Sequence, residues 1–362
     1  MKITHENILN ALRHVDDPDL KKDLVSLKMI DGIEVEGKKV KFKVILTTPA
    51  CPLKNQIKQS CIDAVHEYVD PAAEVEVEMT SQVTTGRAEA GEVLKDVRNI
   101  IAVGSGKGGV GKSTVAVNLA ISLARTGAKV GLLDADIYGP SIPLMFGLTN
   151  GQPNAVDKDG KTWIIPFEKF GVKVLSIGFF VDQSKALIWR GPMASSALKQ
   201  LFTDAIWGEL DYLVLDLPPG TGDIPLTLVQ SFPLTGAIVV STPQEVALAD
   251  VRKAADMFRN EQIRIPLLGI VENMAYFIPE DAPDKKYFIF GQGRCAKFAA
   301  EHNIPVLGQI PIVSAISESG DSGSPVATDE KSPVTKAFDK LAETVAQQIA
   351  IQNAIKESFG VN

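Results

Sequence analysis

Gly106-Lys107-Gly108-Gly109-Val110-Gly111-Lys112-Ser113-Thr114 fits GxxxxGK[ST], and it stands between an apolar run, Ile100 to Val103, and a helical pattern carrying Val115, Leu119 and Leu123. A glycine-rich turn with a strand before it and a helix after it reads as a phosphate-binding P-loop. Glycines let successive backbone N–H groups turn inward around phosphate oxygens, and the helix N-terminus adds its positive end at the same point. On this reading the nine residues Gly106 to Thr114 cradle a nucleotide, Lys112 reaches its β- and γ-phosphates, and Ser113 ligates Mg²⁺. Lys107 lies on the outer curve of the loop, from which it cannot easily approach the same phosphate from the same side as Lys112. A solvated surface lysine and a residue reaching a partner subunit are both open there.

Outward from the loop, Lys129 to Leu133, Tyr212 to Leu215, Ala237 to Val240 and Leu267 to Val271 join Ile100 to Val103 as apolar runs without alternation. Such runs read as strands buried on both faces. Interleaved with helices, they predict an α/β fold: a P-loop NTPase with a mainly parallel sheet covered by helices on both faces. Two runs end in carboxylates, in Leu132-Leu133-Asp134-Ala135-Asp136 and in Leu213-Val214-Leu215-Asp216-Leu217-Pro218-Pro219-Gly220. A catalytic P-loop needs carboxylates at the ends of neighbouring strands to hold the hydrated metal and orient water. Aspartates also cap helices, but three beside one P-loop favour the metal site. Asp216 resembles a Walker B carboxylate acting on Mg²⁺ through water, and Gly220 is placed for its N–H to meet the γ-phosphate. No Asn-Lys-x-Asp guanine-reading segment occurs, which favours ATP over GTP. Asn273, in Val271-Glu272-Asn273-Met274, stands where it can face the adenine edge.

The first eighty or so residues follow a different plan. Thr4 can cap a helix with Ile8, Leu9, Leu12 and Val15 on one face; Val40, Phe42 and Val44 alternate with lysines, and Val75, Val77 and Met79 with glutamates, as half-buried strands do. A helix follows Pro52, with Leu53, Ile57, Cys61, Val65 and Tyr68 at helical spacing. Residues 1–80 therefore read as a small α+β domain, 81–97 as a polar linker and 98–362 as the ATPase domain. A length of 362 residues suits two domains, and the formal charge of −7 argues against a surface for nucleic acid or anionic lipid. Three cysteines cannot make a disulfide framework, so the expectation is a reduced, cytoplasmic protein without a membrane span.

The Lys107 and Lys112 pair resembles the deviant Walker A loop of the MinD/ParA/nitrogenase-iron-protein class of dimeric ATPases. The likeness narrows with Asp134-Ala135-Asp136-Ile137-Tyr138-Gly139-Pro140-Ser141-Ile142-Pro143, Trp189-Arg190-Gly191-Pro192-Met193, Asp216 to Asp223 and Ser241-Thr242-Pro243-Gln244-Glu245, which together look like the Mrp/ApbC branch of bacterial iron–sulfur cluster carriers. Asp17-Pro18 and Thr47-Thr48-Pro49-Ala50-Cys51-Pro52-Leu53 resemble the small iron–sulfur assembly domain that precedes many of these ATPases. The resemblance implies a homodimer in which Lys107 crosses to the partner's nucleotide, Asp136 orients the attacking water, Asp134 supports the metal and Asn273 contacts adenine. It also implies ATP-driven switching between closed and open dimers, and delivery of clusters to apoproteins or exchange with assembly factors.

At one point the sequence departs from that family. Its carriers usually place a CxxC soon after the Asn-Met segment, whereas Tyr276 to Lys286 contains no cysteine. Cys295 continues into Ala296, Phe298 and Ala299 and reads as an ordinary buried residue, and His302 lies about two helical turns beyond it. Cys61 belongs to an apolar stripe. Cys51 precedes Pro52, a favoured first helical residue, so its thiol sits where a helix N-terminus favours thiolate and is the candidate cluster ligand. Two other readings stay open: a MinD- or ParA-like positioning ATPase, and a regulatory ATPase without a cluster. The final helical pattern, Val334, Phe338, Leu341, Val345 and Ile349, looks like a packed helix rather than a basic membrane anchor.

Overall fold

A computed structural model describes residues 3–87, 94–180, 191–279, 281, 282 and 284–358, with the backbone alone for 191 and 192. Trp189, Arg190 and residues 88–93 of the expected linker lie outside these. The chain forms two units. The first holds the residues up to Gly86 together with those from Ala346 onward, and the second holds Arg87–Val345.

The first unit runs α1 (His5–Leu12), a minimal pair β1 (Asp16–Asp17) and β2 (Lys22–Asp23), β3 (Ile30–Glu36), β4 (Lys39–Leu46), α2 (Lys54–Tyr68) and β5 (Glu74–Ser81). Thr4 caps α1 as its sequence suggests, its hydroxyl accepting from the Asn7 N–H at 3.3 Å. Strand β4 is the centre of a three-stranded sheet, antiparallel to β3 and parallel to β5. Its alternation buries Val40, Phe42, Val44 and Leu46 against Ile8, Leu12, Ile57, Cys61 and Val65 of the two helices. Helix α2 starts at Lys54 rather than Pro52, because Pro52 and Leu53 form a turn first. Cys51 thus stands further from the helix N-terminus than its sequence position suggests. The end of the last helix contributes Gln347 Nε2, which donates to Asp19 at 2.5 Å, and Asn353 Nδ2, which donates to the Thr84 carbonyl at 3.0 Å.

The second unit contains β6 (Val97–Ser105), α3 (Lys112–Arg125), β7 (Val130–Asp134), α4 (Ile142–Met145), the hairpin β8 (Asn154–Lys158) and β9 (Lys161–Ile165), β10 (Phe167–Lys169), β11 (Val172–Ser176), α5 (Gly191–Thr203), β12 (Leu210–Asp216), α6 (Asp223–Ser231), β13 (Gly236–Ser241), α7 (Glu245–Arg259), β14 (Leu267–Glu272), α8 (Arg294–Glu301), β15 (Val306–Gln309), α9 (Ser314–Asp321) and the first half of α10 (Pro333–Ser358), whose residues from Ala346 onward belong to the first unit. Its sheet has the order β10-β11-β7-β12-β6-β13-β14-β15, and only the edge strand β10 is antiparallel. Strands β6, β7, β12 and β13 are buried almost throughout, as strands covered on both faces must be. The order reverses around β6, and ligand sites of parallel sheets form beyond the C-terminal ends of strands at such a reversal. The P-loop follows β6 there. Val334, Phe338, Leu341, Val345 and Ile349 of α10 are all buried, in keeping with a packed helix.

Candidate nucleotide site

The loop's shape is set by contacts that only glycine permits. A Cβ on Gly106 would lie 2.4 Å from the backbone carbon of Asp250 in α7, and one on Gly111 would lie 2.2 Å from Asn273 Nδ2. Gly109 and Gly111 both have φ of +79°, the left-handed region that side chains disfavour. Gly108 and Gly109 face open space on their Cβ side, so the backbone there is accessible to a ligand. Gly111 is the N-cap of α3, and Lys112 is its first residue.

Strand register brings the carboxylates together. Asp216 at the end of β12 is level with Asp134 at the end of β7, which is level with Ser176 at the end of β11. The Lys112 ammonium lies 2.7 Å from Asp216 Oδ1 and 3.4 Å from Asp136 Oδ2, and donates to Ser113 Oγ at 3.2 Å. Ser113 Oγ donates to the other Asp216 oxygen at 2.6 Å. The second oxygen of Asp136, Oδ1, is buried and has no hydrogen-bond partner among the described residues.

Asp134 is fully buried, and both its oxygens accept from the protein: Oδ1 from the Asp136 N–H at 3.1 Å, Oδ2 from Ser176 Oγ at 2.8 Å and the Ile142 N–H at 3.3 Å. Burial, and then the charge of Asp216, pushes its carboxyl up to about 8. Burial also raises Asp216, against the opposing pull of Lys112. For Lys112, burial alone would favour discharge, but Asp216 and Asp136 outweigh it and hold the ammonium above its ordinary range.

Two expected contacts are arranged differently. The Gly220 N–H, expected at the γ-phosphate, donates to the Ser105 carbonyl at 2.8 Å and so ties the Asp216 loop to the end of β6. Asn273, expected at adenine, donates its side-chain amide to the Val110 carbonyl at 2.8 Å. Lys107 is half-buried, and its carbonyl accepts from Ser105 Oγ at 2.9 Å. Ser176 and the Asp250 backbone were not anticipated. Lys173 interrupts the apolar run of β11, and a backbone contact leaves no mark on the side-chain pattern.

The thiols are separated by burial. Cys61 and Cys295 are fully buried, and desolvation pushes both up to about 12. Cys51 is half-buried at the edge of the first unit's core. His302 caps α8, with Nδ1 2.9 Å from the Phe298 carbonyl and its ring stacked on Phe298.

Both portions of the chain are similar to known proteins. The family described as NUBPL iron-transfer P-loop NTPase matches residues 96–346, and the family described as iron–sulfur cluster assembly protein matches residues 5–79. An iron–sulfur cluster carrier protein of Synechocystis is 44% identical over 351 residues, covering 96% of this chain and 99% of its own. The iron–sulfur cluster carrier protein of Escherichia coli is 40% identical over 350 residues, covering 96% and 93%. Among solved structures, a nucleotide-binding protein from Archaeoglobus fulgidus in complex with ADP is 41% identical, with a TM-score of 0.57 over 67% of this chain and 92% of that one.

Proposed function

The chain belongs to the NUBPL iron-transfer P-loop NTPase family, and from that premise we propose that it is an ATP-hydrolysing carrier of iron–sulfur clusters, working as a homodimer that delivers them to apoproteins. One arrangement supports the ATPase most directly: a buried ammonium against two carboxylates, beside a serine hydroxyl, at the head of a glycine loop. Mg²⁺ takes oxygen ligands, commonly one or two from protein with water and phosphate completing the shell. The Ser113 hydroxyl and the Asp216 carboxylate, 2.6 Å apart, are such a pair, and the ion they would hold neutralises phosphate charge.

In hydrolysis a water oxygen bonds to the γ-phosphorus, the bond to the β–γ bridging oxygen breaks, and ADP and phosphate leave. Lys112 turns from Asp216 to the phosphates and stabilises the negative charge of the transferring group. Asp136 Oδ1, buried and without a partner among the described residues, orients the attacking water and receives its hydrogen. Asp134 acts from behind, holding Asp136 and the Ile142 turn through its two oxygens. Lys107 completes the partner's site across the dimer, and hydrolysis switches that dimer between closed and open forms.

Cys51 is the proposed cluster ligand. Thiolate ligation belongs in a reducing compartment, and the reading places the protein in the cytoplasm. Transfer of a reconstituted cluster to an apo-ferredoxin, followed by absorbance with and without Mg-ATP, tests the whole reading. Transfer that is faster with ATP in wild type but not in Lys112→Ala supports it; transfer indifferent to both would sink it.

A further inference from the structure

We propose that Ser176, at the end of β11, is a positioning residue for hydrolysis: it holds the loop that carries Asp136, through the Asp134 carboxylate and, with Gly178, through Pro140. The inference rests on the nucleotide-site reading above.

Asp134 ties the loop between β7 and α4 at both ends. Its Oδ1 accepts from the Asp136 N–H at 3.1 Å, and its Oδ2 from the Ile142 N–H at 3.3 Å. Both contacts are with the loop itself, so alone they would let the carboxylate and the loop turn together. Ser176 supplies a contact from outside the loop. It is level with Asp134 on the neighbouring strand, is fully buried, and donates from Oγ to Asp134 Oδ2 at 2.8 Å. The same Oγ accepts from the Gly178 N–H at 2.9 Å, which leaves its one hydrogen directed at the carboxylate. Val172, Val174 and Leu175 are the other buried residues of β11, so packing on this strand asks for no hydroxyl.

The turn that Ser176 caps, Ile177–Phe179, meets the loop a second time. A Cβ on Gly178 would lie 2.9 Å from Pro140 Cβ and 3.1 Å from Ser176 Oγ, so the turn fits against the middle of the loop only without a side chain there. The loop is thus held at its start and end through Asp134 and at its middle through Gly178, and Ser176 Oγ bonds to both supports. Asp136 stands on this loop with Oδ2 3.4 Å from the Lys112 ammonium. Once Lys112 turns to the phosphates, the aim of Oδ1 at the attacking water depends on the backbone beneath it. That backbone is what Ser176 fixes.

The test uses the full chain, with Ser176→Ala and Gly178→Ala each made in wild type and in Asp136→Asn. Steady-state turnover gives kcat and KM for Mg-ATP, and competition against a fluorescent ATP analogue gives affinity. Positioning predicts that each variant loses about tenfold or more in kcat while affinity for Mg-ATP stays within about twofold. In the Asp136→Asn background the same changes should alter the residual rate by less than about twofold, because the carboxylate they aim is already gone. A tenfold loss in both backgrounds, or affinity falling in step with kcat, would make Ser176 and Gly178 structural only. Unchanged kcat in Ser176→Ala would remove the role altogether. A wild type that binds no ATP, or Asp136→Asn turning over at the wild-type rate, defeats the nucleotide-site reading itself, which keeps the two failures apart.

Discussion

Lys112 is held between Asp216 and Asp136 at 6% exposure, and an ion pair so buried behaves differently from a surface one. Removing one partner of a buried pair leaves the other charge uncompensated, at a cost of about 3–5 kcal/mol. Lys112→Ala should therefore abolish ATP binding and also lower the unfolding midpoint. Lys107→Ala should bind ATP normally and lose hydrolysis, because its proposed target is the partner's phosphate; turnover at the wild-type rate would remove the in-trans role. Asp134 gives a pH signature. Its carboxyl is raised from 3.8 to about 8, so between those values the folded chain keeps a proton that the unfolded chain has released. Stability must then fall as pH rises through that window. Asp134→Asn should flatten the decline in thermal midpoint between about pH 5 and pH 8, and an unchanged slope would assign the proton elsewhere. Exposure also predicts thiol reactivity: iodoacetamide should label Cys51 in the native chain and reach Cys61 and Cys295 only on denaturation, as peptide mass spectrometry can show.

At the scale of elements, the glycine loop illustrates how much a local motif tells. Its position between β6 and α3 was legible because a full motif, an apolar strand and a helical period agree at one place. The carboxylates were legible as strand ends, but their alignment was not, because register joins residues far apart in sequence. Ser176 shows the consequence: Val172–Ser176 carries a lysine, so nothing in the pattern marks it as the strand beside β7. Strand β15 is only four residues long, and the hairpin β8–β9 is largely exposed, so neither offers a buried run to detect. The partners that Gly220 and Asn273 hold within the chain were not legible for a related reason, since in each case the acceptor is a backbone carbonyl that leaves no mark on the side-chain pattern. The loop's packing makes a prediction of its own. Gly106→Ala forces a Cβ onto the α7 backbone at 2.4 Å and should abolish nucleotide binding, whereas Gly220→Ala, with open space around it but φ of +88°, should cost only about 1 kcal/mol. Equal effects of the two in a binding titration would contradict the close approach of α7.

At the scale of the whole molecule the question is where a cluster can be carried. The chain has three cysteines, and the two that are fully buried have thiols pushed up to about 12, so neither becomes a thiolate ligand while its core stays folded. Cys51 in the first unit is left. A cluster of the common kinds takes four cysteine ligands, and a dimer of this chain offers two such thiols. On the proposed reading the balance would come from small thiols or from the recipient, and such a cluster would be easily exchanged. Isolating the ATPase portion is a poor test, because residues from Ala346 onward pack in the first unit through contacts such as Asn353 to Thr84. The informative comparison uses the full chain, reconstituted anaerobically with iron, sulfide and a small thiol, and then desalted into buffer that still holds the thiol. Wild type should show cluster absorbance that fades when the small thiol is removed, Cys295→Ala should behave like wild type, and Cys51→Ser should retain no iron. A Cys51→Ser protein that keeps a stoichiometric cluster would move the cargo away from the first unit and require one of the buried cores to open, because no other cysteine is present to ligate it.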